Sequence, residues 1–139
     1  MDKVIFACVH NAGRSQMAAA YFNQLVDRTL AQAVSAGTQP GERVHPVVVD
    51  VMSEVGINLS GKKPQRLTEG LASDAKLLVT MGCGDECPCV PGLKVEDWPL
   101  QDPKDQPVEV VRRIRDDIKG RVTALVTSHG WSGHSEGNS

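Results

Sequence analysis

The sequence predicts an α/β fold: a single domain built on a four-stranded parallel sheet flanked by helices on both faces. Three observations predict it. A chain of 139 residues is sized for one core. Apolar strand-like runs alternate with amphipathic helical patterns along its length. The first and third of those runs are apolar almost without a break, as strands covered on both faces must be.

The first strand is read over Lys3 to Cys8, where an apolar run follows the polar start. Met17, Tyr21 and Leu25, with Ala18 and Phe22 alongside, then recur at helical spacing. A second strand is read over Ala31 to Ala36. A second helix opens on Pro46 at its first position, lines up Val48, Met52 and Val55 on one face, and stops before Gly56. Strands over Lys76 to Met81 and, with a weaker pattern, Lys94 to Trp98 follow. The last helix keeps Val111, Ile114, Ile118, Val122 and Leu125 at steps of three and four. Its charges Arg112, Arg113, Arg115, Asp116, Asp117 and Lys119 are assigned to the wet side. The domain is expected over 1–127, and the small, polar, aperiodic stretch 128–139, "SHGWSGHSEGNS", is expected as a flexible tail.

A net charge of −2 with scattered Lys and Arg leaves no basic face for a nucleic-acid backbone or an anionic membrane. The six-residue apolar run of "MDKVIFACV" is shorter than a signal-peptide core, so a cytoplasmic location is expected. In that reducing compartment Cys8, Cys83, Cys87 and Cys89 read as redox, catalytic or metal-binding groups rather than structural disulfides. His129 and His134, in the expected tail, lack the partners of a metal site, and no metal is expected.

The stretch "FACVHNAGRSQMA", residues 6–18, carries the first chemical signal. It joins a parallel strand to a helix, so its backbone N–H groups should face the space ahead of the helix, where unpartnered amides and the helix dipole favour an anion. Gly13 lets the backbone curl, and Arg14 offers a planar fork to two oxyanion oxygens. His10, Asn11, Ala12, Gly13 and Arg14 are thus the expected oxyanion cradle. A thiol at its rim is held as thiolate by the same field, which is the expectation for Cys8. Ser15 could donate to that sulfur and Asn11 could brace the loop through its amide. A lone cysteine here would be no more than a buried side chain in a βα turn; the four features Cys8, Gly13, Arg14 and Ser15 at one junction argue otherwise.

That spacing of cysteine, five residues, arginine and serine resembles the signature loop of the low-molecular-weight protein tyrosine phosphatase family, whose fold begins with the same strand and loop. The resemblance extends through "SAGTQP", "VHPVVVDVMSEVGINLS" and the last helix, to about Leu125. The family serves phosphate-ester hydrolysis and arsenate reduction. Both start with thiolate attack on a tetrahedral oxyanion, but arsenate reduction needs a further thiol to take up the second half of two oxidising equivalents. "VTMGCGDECPCVPG", residues 79–92, supplies three on a segment marked by Gly and Pro, and it resembles the redox loop of the family's thioredoxin-coupled arsenate reductases. The resemblance implies that Cys83 attacks the Cys8 adduct, giving a Cys8–Cys83 disulfide, and that Cys87 then attacks Cys83. Only three residues separate Cys83 from Cys87, and Cys89 is additional, so Cys89 is an alternative relay thiol or an inert one; a zinc knuckle is the other reading of the cluster.

In "EDWPLQDPKDQP" the pair Asp102-Pro103 matches the family's general acid, which protonates a departing oxygen. By itself it would be an ordinary turn. Lys104 and Asp105 follow where phosphotyrosine phosphatases carry aromatic residues, and the chain holds only two Trp, one Tyr and two Phe, so a small inorganic substrate is favoured over an aryl phosphate. Members that bind potassium use an acidic residue where this chain has Ala19, so no structural cation is expected. The resemblance therefore implies a monomeric arsenate reductase without cofactor, with arsenate and thioredoxin or a similar dithiol reductant as partners. The alternatives are a reductase served by glutathione or mycothiol with a glutaredoxin-like protein, and a phosphatase.

Overall fold

The structure, a computed structural model, describes residues 2–82 and 92–132. In chain order the elements are β1 (Asp2–Cys8), α1 (Arg14–Leu25), β2 (Ala31–Gly37), α2 (Pro46–Ser53), α3 (Glu69–Ala72), β3 (Leu77–Thr80), β4 (Lys94–Asp97) and α4 (Val108–Ser128). The strands form one parallel sheet in the order β2-β1-β3-β4. β1 is central, which is why its sequence is apolar on consecutive positions instead of alternating. Its register pairs Cys8 with Gly37 and Ala7 with Thr80, so the chain leaves β1, β2 and β3 at one edge of the sheet.

Alternation along β1 divides the core. Val4, Phe6 and Cys8 face a large cluster with Met17 and Phe22 of α1, Val48 and Met52 of α2 and Ile118 and Val122 of α4. Ile5 and Ala7 face a smaller one with Ala36, Leu67, Ala72 and Leu78, covered by the single turn of α3. Thr68 caps that turn, its hydroxyl accepting from the Leu71 N–H at 3.0 Å. No described helix is long and apolar enough to cross a membrane.

Three details differ from the sequence expectation. Val55 does not share the buried face of α2, because the helix ends at Ser53 and the turn through Gly56, at φ +82°, carries Val55 into solvent. Arg115 is buried, not solvated. It lies between Val111 and Ile118 on the inner side of α4, where its guanidinium donates to the Val51 carbonyl at the end of α2 (2.9 Å) and to Glu54 (2.8 Å), giving the carbonyl a donor the helix cannot supply. Finally, residues 128–132 pack as part of the domain. Ser128 closes α4, and Trp131 lies edge-on to Phe22 with centroids 5.6 Å apart. Its indole N–H donates to Asp2 at 3.0 Å and its carbonyl accepts from the Asp27 N–H at 2.8 Å. One large aromatic side chain outweighs polar neighbours in deciding where the chain stops packing. His134 and residues 133–139 lie outside the described residues.

Candidate active site

The loop between β1 and α1 is fixed from outside through its carbonyls. Val9, His10 and Ala12 accept from the N–H groups of Gln39, Gly41 and His45, at 2.8, 2.9 and 2.9 Å. In trans peptides the N–H of the next residue points the opposite way, so the amides of His10, Asn11 and Gly13 turn away from that outer segment. α1 begins at Arg14 with no side-chain cap from Gly13, leaving its first-turn N–H groups open toward the loop. Gly37 makes the close fit possible. A Cβ there would lie 2.6 Å from the Val9 carbonyl oxygen, so "SAG" at the end of β2 has to present hydrogen.

Cys8 is buried at the mouth of this loop with its sulfur 2.9 Å from the Ser15 hydroxyl. Asn11 Nδ2 donates to the same hydroxyl at 2.7 Å. Asn11 is fully buried in the left-handed region at φ +52°, which asparagine tolerates better than most residues. Three residues separated in sequence thus form one connected path of hydrogen bonds ending on the sulfur.

Arg14, buried, turns from the first turn of α1 toward the stretch after β4. Its Nη1 donates to the Leu100 carbonyl at 3.3 Å and its Nη2 lies 3.6 Å from Asp102 Oδ2. That stretch is anchored by Trp98, buried against Phe6 with centroids 5.7 Å apart, its backbone N–H donating to the Thr80 carbonyl at 2.8 Å. Asp102 is half-exposed and its Oδ1 accepts from the Lys104 N–H at 3.0 Å, the Asx turn that aims the carboxylate. Pro103 closes over the loop: a Cβ on Gly13 would come within 2.8 Å of its Cγ. Cys8, Arg14, Ser15 and Asp102 are therefore brought to one place. Cys83, Cys87 and Cys89 lie outside the described residues. The described chain does reach Gly82, at φ +94°, where a Cβ would lie 2.5 Å from Arg14 Nη1.

Two histidines hold the loop from its outer side. His10 Nδ1 is 3.0 Å from the Gln39 carbonyl, so its ring ties the loop to the segment after β2. His45, immediately before Pro46, lies half-buried next to Gly13, its N–H holding the Ala12 carbonyl. Burial holds its ring below the usual histidine range, with Asp102 pulling the other way. Its only sequence signal is the position just ahead of a helix-opening proline. Among the described residues no group of three or more His, Cys, Asp or Glu could hold a metal ion.

The chain is similar in sequence and fold to known proteins. The sequence pattern of the low molecular weight phosphotyrosine protein phosphatase family matches residues 3–130. The chain is 37% identical over 129 residues to the glutaredoxin arsenate reductase of Synechocystis, covering 91% of this chain and 97% of that one. Its fold superposes with TM-score 0.81 on the thioredoxin-dependent arsenate reductase of Corynebacterium glutamicum, at 37% identity, over 96% of this chain and 64% of that one. An arsenate reductase from Archaeoglobus fulgidus matches with TM-score 0.78 at 33% identity, over 89% of this chain and 98% of that one.

Proposed function

The chain belongs to the low molecular weight phosphotyrosine protein phosphatase family, and from that premise we propose that it reduces arsenate to arsenite with Cys8 as nucleophile and thiols as the electron source. The Cys8 thiolate attacks arsenic while the loop amides and Arg14 hold the oxyanion and Asp102 protonates the departing oxygen, which leaves as water. Arsenic is still pentavalent in that adduct. Cys83 then attacks the Cys8 sulfur; the sulfur–arsenic bond breaks, its electron pair stays on arsenic, and arsenite leaves as a Cys8–Cys83 disulfide forms. Cys87 displaces Cys8 from Cys83, with Cys89 the alternative in that step, and a dithiol protein such as thioredoxin reduces the last disulfide. Two thiols are oxidised for each arsenate reduced, so the electrons balance.

One observation carries this reading over hydrolysis. A Cβ on Gly82 would lie 2.5 Å from Arg14 Nη1, so the Gly82 backbone packs directly on the guanidinium, and Cys83 is the next residue of the chain. Reduction needs a further thiol of this kind, whereas a phosphatase needs only water. The scarcity of aromatic side chains around Asp102-Pro103 agrees with a small substrate.

The reductant has two candidates because the two relatives' names differ: one is called a thioredoxin-dependent arsenate reductase and the other a glutaredoxin arsenate reductase. The Cys83 and Cys87 pair favours thioredoxin, since a relay that ends in a protein disulfide suits a dithiol partner. Continuous arsenite release with thioredoxin and its reductase, well above the rate with glutathione and glutaredoxin, is the expected result. The reverse order would replace thioredoxin in this scheme, and hydrolysis of aryl phosphate without any thiol-dependent arsenite release would overturn it. We place the reaction in the cytoplasm, carried out by a monomer without a cofactor.

A further inference from the structure

We infer that Gln16, in the first turn of α1, is a positioning residue that sets the direction of the hydrogen bonds ending on the Cys8 sulfur. The direction follows from one fixed donor. The Gln65 backbone N–H donates to Asn11 Oδ1 at 2.9 Å, and a backbone amide has no other role, so that end of the Asn11 side chain is its oxygen. Asn11 Nδ2 must then be the donor to Ser15 Oγ, at 2.7 Å. With Cys8 as thiolate, the one Ser15 hydroxyl hydrogen is left for the sulfur, 2.9 Å away. Every bond points the same way, and aligned hydrogen bonds polarise one another in a site closed to solvent.

Gln16 closes the far end of this path. Its side chain is buried, and Nε2 lies 3.0 Å from the Asn11 carbonyl, 3.3 Å from Asn11 Oδ1 and 3.5 Å from the Lys63 carbonyl. The amide has two hydrogens and faces three oxygens from two segments of chain. It therefore draws both Asn11 oxygens toward α1, holds the residue at its left-handed φ, and increases the pull of Asn11 Nδ2 on Ser15. Loss of this donor leaves the Asn11 carbonyl oxygen short of a partner in a buried place and lets the Asn11 side chain turn from Ser15. Gln16 touches neither sulfur nor substrate, so its effect is indirect. The outer side of Gln16 borders a cleft of about 300 Å³, which gives an isosteric replacement room to settle.

The inference rests on Cys8 as the reactive group but not on arsenate as its substrate, so the test reads the thiol directly. In the full chain carrying Cys83→Ser, Cys87→Ser and Cys89→Ser, iodoacetamide reacts with Cys8 alone. Gln16→Met, which keeps size and removes both donors, is expected to move the pH–rate profile of alkylation toward higher pH, slowing the rate on its rising limb roughly threefold, the scale of one modest hydrogen bond. On the alkaline plateau of the profile the two rates should match within experimental error. In a Ser15→Ala background Gln16→Met should have no further effect, because the path to sulfur is already cut. An unchanged profile, an equal loss on the plateau, or an equal loss in the Ser15→Ala background would each overturn the inference, the last two showing a general loosening of the loop. If Gln16→Met does not fold, Gln16→Glu carries the same three comparisons, with a larger displacement because its carboxylate faces the Asn11 oxygens.

Discussion

Gly13→Ala is the sharpest probe of how the loop and the Asp102 segment are joined. The added Cβ would lie 2.8 Å from Pro103 Cγ. Carbon atoms rest at about 3.5 Å or more, so the two segments must separate by roughly 0.7 Å. The proline ring cannot rotate aside, and the shift passes directly to Asp102, whose carboxylate is 3.6 Å from Arg14. A 1 Å misplacement of a catalytic group costs on the order of a hundredfold, so a loss of roughly ten- to thirtyfold in kcat is expected, read as initial rates of arsenite release at saturating arsenate. The affinity for arsenate should change much less, because the amides and Arg14 stay on the loop side of the gap. Pro103→Ala in the same chain removes the colliding carbons and should restore kcat to within about threefold of Pro103→Ala alone, as expected for a contact pair. An unchanged kcat in Gly13→Ala would refute the close packing of the two segments. A loss that Pro103→Ala fails to relieve would place the damage in the loop itself.

Trp131→Ala removes the edge-on contact with Phe22 and the bond to Asp2, and should lower unfolding free energy by about 3 kcal/mol or more, or roughly 10 °C in Tm, by urea and thermal melts; a loss under about 1 kcal/mol would show that 128–132 is tail after all. Hydrogen bonds from Arg112 and then Arg115 pull the Glu54 carboxyl down to about 2, so its contribution is complete above about pH 4.5 and is lost as pH falls toward 2. Glu54→Gln should flatten that part of the urea-midpoint profile; an unaltered slope contradicts the pairing. Burial depresses His45, so the unfolded chain takes up its proton first and stability should fall as pH drops below about 6.5. His45→Asn should remove that component, and an equal slope in both proteins would assign it elsewhere.

Much of the fold was legible because periodicity reports burial. The unbroken run of β1 and the steps from Val111 to Leu125 lead directly to the central strand and the long helix. Arg115 was misread because it too lies on that inner face, and only the Val51 carbonyl at the end of α2 shows why a charge belongs there. Trp131 was lost among polar neighbours, since composition over a window hides one anchoring side chain. At the site, Cys8, Arg14 and Ser15 were readable from spacing, because one loop holds them, while Asp102 entered only through the resemblance of its Asp-Pro pair to the family's. His45 and Gln16 were not, as their parts depend on segments that meet only in the folded chain: His45 against Gly13, and Gln16 against Asn11 and Lys63.

The central claim is that a thiol, not water, resolves the Cys8 adduct. One equivalent of arsenate is added to the reduced chain bearing Cys87→Ser and Cys89→Ser, thiols are quenched, and peptides are mapped without reduction. The account predicts a Cys8–Cys83 disulfide formed in step with one arsenite per chain. Arsenite release with no disulfide, or no arsenite at all while Cys8 remains alkylatable, would contradict it.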